Sequence, residues 1–118
     1  MINKEVKEIF DKLNIPFYYM VAPKNNHDYY VIFSIIKEQD IGLYDCDNIK
    51  VEYYCSLNFW YRNPQDCALY LDIKKAFKQN KVQVRNAVDL PVSNGYYGKS
   101  FNLKITRLLN NEELGTDK

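Results

Sequence analysis

The residues that could perform chemistry are few and scattered along this chain of 118 residues. The single histidine, His27, lies in a turn-forming stretch with no serine near it, so no nucleophile–base pair is predicted. The four glycines are dispersed and form no phosphate-binding loop. Aspartates at positions 40, 45 and 47 are more typical of a solvated acidic loop than of paired catalytic carboxylates. The sequence therefore predicts no enzymatic activity and no catalytic residue.

The cysteines do not indicate a metal centre. The chain has three of them, with no CxxC pair, and an odd number is typical of a reducing compartment. Asp45-Cys46-Asp47 could offer ligands together with His27, but four ligands would have to converge on one ion. A loop thiol between two solvated aspartates is the simpler interpretation, so we expect no metal and no other cofactor. Cys55 and Cys67 are expected to be small core residues.

Aromatic residues are the unusual feature of the composition. They make up 15% of the chain, with 11 tyrosines, and exceed what a core of this size needs. Tyr54 and Trp60 fall on the polar side of an alternating segment, and tyrosine and tryptophan are favoured at protein interfaces. Base stacking is the alternative, but it would favour interleaved basic residues, and Arg62 is accompanied by Glu52. With a net charge of +1, the chain also does not present the strong positive field that is expected of a dedicated nucleic-acid binder.

The spacing of apolar residues predicts the helices and strands that position these side chains. Apolar residues at helical spacing predict a first helix over residues 2–13, ended by Asn14 and Pro16, and a short strand follows at Phe17–Val21. Tyr29–Lys37 is apolar on both faces, which predicts a strand covered on both sides, one of them by another subunit. Tyr30, Tyr96 and other tyrosines are expected to be semi-exposed.

The second half of the chain completes the pattern. Glu38–Lys50 is predicted to be an exposed loop or flexible hairpin, and Val51–Arg62 alternates as a strand. Asn63-Pro64-Gln65-Asp66 is typical of a helix start. Beyond that helix, Val82–Val92 is predicted to be a short strand or irregular segment, followed by a turn at Ser93-Asn94-Gly95 and a strand at Lys99–Leu109.

The predicted fold is α+β: a two-layer sandwich of a mainly antiparallel sheet and two amphipathic helices, in the order α-β-β-β-α-β-β. Residues 1–109 are expected to form one domain, and residues 110–118 a polar, frayed tail. The first residues lack a signal-peptide core, and no apolar run is long enough to span a bilayer. Folding in the cytosol, without membrane contact, is therefore expected.

Three segments carry a resemblance to a known family. They are Leu13-Asn14-Ile15-Pro16-Phe17-Tyr18-Tyr19 with Ala22-Pro23 and Asp28-Tyr29-Tyr30-Val31-Ile32-Phe33, then Tyr44-Asp45-Cys46-Asp47-Asn48 before the strand ending Phe59-Trp60-Tyr61-Arg62, and the helix opened by Asn63-Pro64-Gln65-Asp66. Over residues 5–108 the chain resembles the small tail-completion proteins of long-tailed bacteriophages and prophages, which are tail terminators and head–tail joining proteins.

The resemblance implies a structural subunit that assembles into a ring, commonly a hexamer, at the head-proximal end of the tail tube. Its partners would be other copies, the tail tube protein and the head–tail connector, with DNA passing through the ring without sequence-specific binding. The location would be the virion, after assembly in the host bacterial cytoplasm. A non-catalytic protein-binding adaptor and a single-strand nucleic-acid binder remain the alternatives.

A closed ring needs two different complementary patches on each subunit. The candidate subunit-interface residues are Tyr30, Ile32, Ile36, Tyr54, Trp60 and Arg62. The candidate contacts to tube or connector lie in two predicted loops, Glu38–Asp47 and Asn86–Tyr97, and are Asp40, Tyr44, Asp45, Asp47, Tyr96 and Tyr97.

Overall fold

The computed structural model describes residues 2–24, 27–43 and 48–110. These residues form an α+β fold with two α-helices and a mixed sheet of five strands, which confirms the predicted fold class. The elements in chain order are α1 (Ile2–Leu13), β1 (Phe17–Tyr19), β2 (Tyr29–Leu43), β3 (Asn48–Tyr61), a 3₁₀ helix (Pro64–Ala68), α2 (Leu69–Gln79), β4 (Val82–Ser93) and β5 (Tyr96–Asn110).

The first helix has the predicted bounds, and its end has a local cause. Asn14 adopts a left-handed φ of 58°, and the backbone N–H of Ile15 donates to the Phe10 carbonyl at 3.1 Å. Left-handed backbone at this position closes a helix, and Pro16 cannot extend it. The chain therefore leaves α1 directly into β1.

The sheet order is β1-β2-β3-β5-β4, and all neighbours are antiparallel except β1 and β2, which run parallel. The sheet is therefore mixed, with one parallel pair beside the antiparallel pairs that the sequence predicted. Met20 takes a left-handed φ of 64°, which ends β1 at Tyr19, before the predicted Val21. The chain beyond Met20 then returns to the start of β1, so Tyr29 enters β2 in the same direction.

Two strands are longer than predicted because partner strands determine them. β2 continues through Leu43 and pairs antiparallel with β3 as far as Ile49. Of the two predictions for this segment, the loop is therefore wrong for residues 38–43, and the hairpin is confirmed for the described residues. β4 runs for 12 residues against β5 although most of its side chains are exposed, so Asn86–Ser93 is strand and not loop. The turn between β4 and β5 is confirmed, with positive φ at Asn94 (50°) and Gly95 (82°). This geometry is that of a tight type I′ hairpin.

Both helices pack on one face of the sheet, which we call the covered face. Its strand residues alternate as predicted for β3, where Cys55, Leu57 and Phe59 are fully buried. The other core residues are Ile2, Val6, Ile9 and Phe10 of α1, Ile15, Val31 and Phe33, Tyr61, Ile73 and Phe77 of α2, Val82, and Phe101, Leu103 and Ile105. Burial raises the pKa of the Cys55 thiol to about 12, which is consistent with a core cysteine.

Three phenylalanines join the two helices to the sheet. The Phe77 ring meets Phe10 edge-on at 5.7 Å between centroids and Phe101 at 6.2 Å. Edge-to-face pairs at these distances add to the free energy that burial of the rings supplies. Phe77 is thus the side chain through which α1, α2 and β5 pack together.

Phe77→Ala is expected to lower the free energy of unfolding by about 3–5 kcal/mol, because it leaves a cavity where α1, α2 and β5 meet. Urea denaturation followed by circular dichroism measures the loss. Leu71→Ala is the matched control on α2, since Leu71 is 63% exposed and should change the value little. Equal losses in the two variants would contradict this packing.

Candidate interaction surface

The sheet face opposite the helices is the candidate site, and we call it the open face. Its strand residues alternate with those of the covered face, and neither helix lies on it. Its members across the sheet are Tyr18, Tyr30, Ile32, Ser34, Ile36, Lys37, Glu52, Tyr54, Ser56, Asn58, Trp60, Gly98, Ser100, Asn102, Lys104, Arg85, Asn86, Val88 and Leu90.

Tyr30 is the centre of an aromatic cluster at one end of the open face. The Tyr96 ring meets it edge-on at 5.3 Å and the Tyr18 ring at 6.3 Å, so Tyr30 is only 9% exposed. The prediction that Tyr30 is semi-exposed is therefore wrong, because side chains from β1 and β5 cover it. Burial, followed by the proximity of Tyr96, raises the pKa of Tyr30.

His27 joins this cluster to the connection that precedes β2. A 2.6 Å hydrogen bond joins its Nε2 to the Tyr18 hydroxyl, and the Tyr96 hydroxyl donates to its backbone carbonyl at 2.7 Å. Both bonds fasten the connection that precedes β2 to the sheet. Among the described residues, the His27 ring also contacts the Tyr18 ring at 5.7 Å and the Tyr30 ring at 6.4 Å between centroids.

Trp60 lies flat across β5 because the residue facing it is glycine. Gly98 is its register partner, and a Cβ added there would lie 2.5 Å from Cζ3 of the indole. The same added Cβ would lie 3.0 Å from the Cβ of Leu90 on β4. The ring therefore borders a surface cavity of about 380 Å³ that Tyr30, Ile32 and Arg62 also line.

A polar band separates the aromatic end from the rest of the open face. Ser34, Ser56, Asn102 and Asn86 follow one another in register across four strands, and the Asn102 amide donates to Asn86 Oδ1 at 2.6 Å. One row closer to Trp60, the Oδ1 atom of Asn58 is buried without a hydrogen-bond partner among the described residues. Buried amide oxygens are normally paired, so Asn58 leaves an unused acceptor on this face.

The far end of the open face is basic and built around Tyr54. Lys37 Nζ lies 5.5 Å and the Arg85 guanidinium 5.6 Å from the centre of the Tyr54 ring, distances at which cation–π attraction operates. Lys104 pairs with Glu52 at 2.7 Å, and the Tyr54 hydroxyl donates to the same carboxylate at 2.9 Å. The hydrogen bond from Lys104, and then the one from Tyr54, lower the pKa of Glu52.

Two β-bulges place side chains on this end. The register shifts at Ile36 in β2 and at Arg85 in β4, and both side chains border one cavity of about 380 Å³ together with Tyr54. A bulge inserts an extra residue and re-aims the side chains around it. Ile36 is 67% exposed as a result.

The structure thus brings five of the six candidate interface residues to the open face, at two ends that the polar band separates, and places Arg62, which follows β3, at the aromatic-end cavity. Tyr30, Ile32, Trp60 and Arg62 border the aromatic-end cavity, and Ile36 and Tyr54 border the basic-end cavity.

The candidate contact residues divide differently. Tyr96 lies in β5 at the aromatic end, with the Arg62 guanidinium 5.3 Å from its ring centre. Tyr97 lies on the covered face, stacked on Tyr61 at 5.5 Å, and Asp40 lies in β2 opposite Val51, so neither belongs to a loop. The remaining three, Tyr44, Asp45 and Asp47, lie outside the described residues.

Sequence reasoning missed Gly98, Arg85 and Val88. The signal for Gly98 was a glycine within a strand, which often marks close approach of another group. Arg85 and Val88 lie in a segment predicted to be either a short strand or irregular, so no face could be assigned to them.

Other kinds of site were sought in the same residues. Over 2–24, 27–43 and 48–110, no three His, Cys, Asp or Glu side chains are grouped so that they could hold a metal ion. Neither α1 nor α2 is long and apolar enough to cross a membrane. A scan against protein-family models finds no matching model, and a search of curated proteins finds no match.

Gly98→Ala is expected to push the Trp60 indole off β5 and to lower the free energy of unfolding by about 1–3 kcal/mol, as overpacking does. Trp60 is the single tryptophan, so its fluorescence emission reports the movement directly. Ser100→Ala, two residues along β5 on the same face, is the control and should leave the emission maximum unchanged. An unchanged spectrum in Gly98→Ala would contradict the contact.

Proposed function

We propose that this chain is a non-catalytic structural subunit that assembles with other copies through its open face. More specifically, we propose that it is a tail-completion protein of a long-tailed phage or prophage, either a tail terminator or a head–tail joining subunit. The observation that supports this most strongly is a five-stranded sheet with helices on one face only. The family assignment itself rests on the resemblance described above.

Exposed apolar side chains on the open face support assembly. Ile36 is 67% and Val88 52% exposed, and Ile32, Trp60 and Leu90 are half-buried on the same face. A sheet face that carries such residues without a layer over it is typical of a surface that another protein covers. Tyrosine and tryptophan at its aromatic end supply rings that pack while their polar atoms bond outward.

The sheet edges supply the second kind of surface that a ring requires. β4 is the last strand of the described sheet, so its outer backbone groups have no neighbouring strand. A ring needs head-to-tail contact between two different patches, and an open face with a separate free edge meets that requirement. In the proposed assembly the ring stands at the head-proximal end of the tail, contacts tube and connector proteins, and lets DNA pass through its lumen.

The test of assembly compares two lysine substitutions at sites of matched exposure on opposite sides of the molecule. Ile36→Lys places a charge on the open face, whereas Leu71→Lys, at a site 63% exposed, places one on the solvent side of α2. We expect the wild type to show a solution mass that rises with protein concentration and persists at high salt, because apolar contacts resist screening. Light scattering should show the same concentration-dependent mass for Leu71→Lys. For Ile36→Lys it should show the mass of a monomer.

Two results would contradict this proposal. One is a strict monomer for the wild type, which would favour the adaptor interpretation, and the other is unchanged assembly in Ile36→Lys. Urea midpoints of both variants exclude unfolding as the cause of any difference. Electron microscopy of the assembled wild type should then show closed rings with a lumen that admits duplex DNA.

Single-stranded nucleic-acid binding is a second candidate, favoured by the basic end of the open face. Lys37 and Arg85 flank the Tyr54 ring, an arrangement of cation and aromatic ring that suits phosphate and base together. In the sequence, the negative charge of Glu52 near Trp60 and Arg62 is evidence against this function. In the structure, Glu52 lies with Lys104 at the basic end and not beside Trp60. The net charge of +1 still makes it the weaker candidate.

This second function predicts binding of a labelled oligothymidylate with an affinity that falls steeply as salt rises. Fluorescence anisotropy at several salt concentrations measures the slope. The double change Lys37→Glu and Arg85→Glu should abolish binding, whereas Lys4→Glu with Lys12→Glu, on the exposed side of α1, should not. If the two double variants bind alike, the open face does not carry this function.

A further inference from the structure

A basic groove lies between α2 and the free edge of the sheet, away from the open face. Lys74, Lys75 and Lys78 of α2 form one side, Lys81 closes its end, and β4 forms the other side from Val82 to Val84. The cavity has a volume of about 620 Å³. We call it the lysine groove.

The groove combines positive charge with an apolar floor. Val82 is buried and Val84 half-buried, so the floor is aliphatic, whereas Lys75 and Lys78 are exposed. The salt bridges among the described residues join Lys7 to Asp11, Lys99 to Asp89, Lys104 to Glu52 and Arg107 to Glu5, and none uses a groove lysine. Such a groove fits an extended acidic segment that also carries an apolar side chain.

The groove runs beside backbone that can pair with an added strand. β4 is hydrogen-bonded to β5 on one side only, and within the described sheet no strand follows it. Edge strands of this kind readily accept an extended segment, whose main-chain bonds supply affinity while side-chain pockets supply specificity. Val82 and Val84 lie on one side of β4, so both meet the same face of such a segment.

This chain itself contains a segment with the matching chemistry. Glu112-Glu113-Leu114, with Asp117 three residues further on, offers carboxylates beside one leucine. These residues follow β5 and lie outside the described part of the chain.

The segment cannot lie beside Val82 and Val84 on the β4 edge of its own chain. Val82 is paired with Ile105 and Val84 with Leu103, whereas β5 ends at Asn110. At the rise of a strand, Val82 lies about 17 Å and Val84 about 24 Å back along the sheet from Asn110. The four residues from Asn110 to Leu114 span at most about 14 Å when fully extended. The occupant must therefore come from another molecule.

We propose that Glu112-Glu113-Leu114 of a second copy occupies the lysine groove, running along the free edge of β4. Glu112 and Leu114 lie on the same face of the extended segment, so Leu114 packs on the valine floor while Glu112 pairs with Lys75 and Lys78 of α2. Glu113 lies on the opposite face of the segment. This inference rests on the proposed self-assembly and names one of its two heterologous contacts. A contact of this kind depends on salt, unlike the apolar contact of the open face.

The test uses a fluorescein-labelled peptide of residues 109–118 titrated with the full chain and followed by anisotropy. We expect saturable binding that weakens at least about tenfold in Lys75→Glu with Lys78→Glu, since Glu112 would then face two carboxylates in place of two ammonium groups. The matched control is Lys4→Glu with Lys12→Glu on α1, where Lys12 occupies the last helical turn just as Lys78 does in α2. A peptide with Glu112→Lys and Glu113→Lys should no longer bind the wild-type chain. It should bind the variant with Lys75→Glu and Lys78→Glu.

Three results would overturn the proposal: no binding, equal weakening by the α1 control, or equal binding of a scrambled peptide, which would make the groove a general acidic-peptide site. The outcome is separable from that of the proposed function. Peptide binding does not require the chain to assemble, and assembly that survives Lys75→Glu with Lys78→Glu would remove the groove contact while leaving the open face intact.

Discussion

The packing of both helices on one sheet face is the constraint on which the rest of this structure depends. Phe77 brings α1, α2 and β5 together, with Phe10 and Phe101 as its ring partners. The chain has only these two helices among its described residues, so once both lie on the covered face the five strands have no second layer. Every candidate surface in the molecule follows from that asymmetry.

The open face compensates for the missing layer in a different way at each end. At the aromatic end Tyr30 is buried by rings from neighbouring strands, and the absent side chain of Gly98 lets Trp60 lie flat. At the basic end bulges expose Ile36 and aim Arg85 at Tyr54, so apolar and charged groups stay accessible. The aromatic end is therefore partly covered by its own rings around one surface cavity, whereas the basic end leaves Ile36 and two cationic side chains accessible.

The self-assembly proposal and the lysine-groove proposal divide the surface between them. The open face offers apolar contacts that salt hardly weakens, and the groove beside β4 offers charged contacts that salt screens. Two surfaces of different chemistry on different sides of one subunit are what a directional, head-to-tail assembly requires.

The sequence determined those helices and strands whose pattern of apolar and turn-forming residues is local. α1 was predictable because its apolar stripe, Asn14 and Pro16 act within a few residues, and the alternation of β3 assigned Trp60 and Tyr54 to one face. The tertiary structure alone decided the burial of Tyr30, the choice between strand and irregular segment for β4, and the parallel entry of β2. The physical reason is that these features depend on partners distant in sequence: Tyr96 covers Tyr30, β5 supplies the backbone bonds of β4, and the register between strands sets which side chains meet.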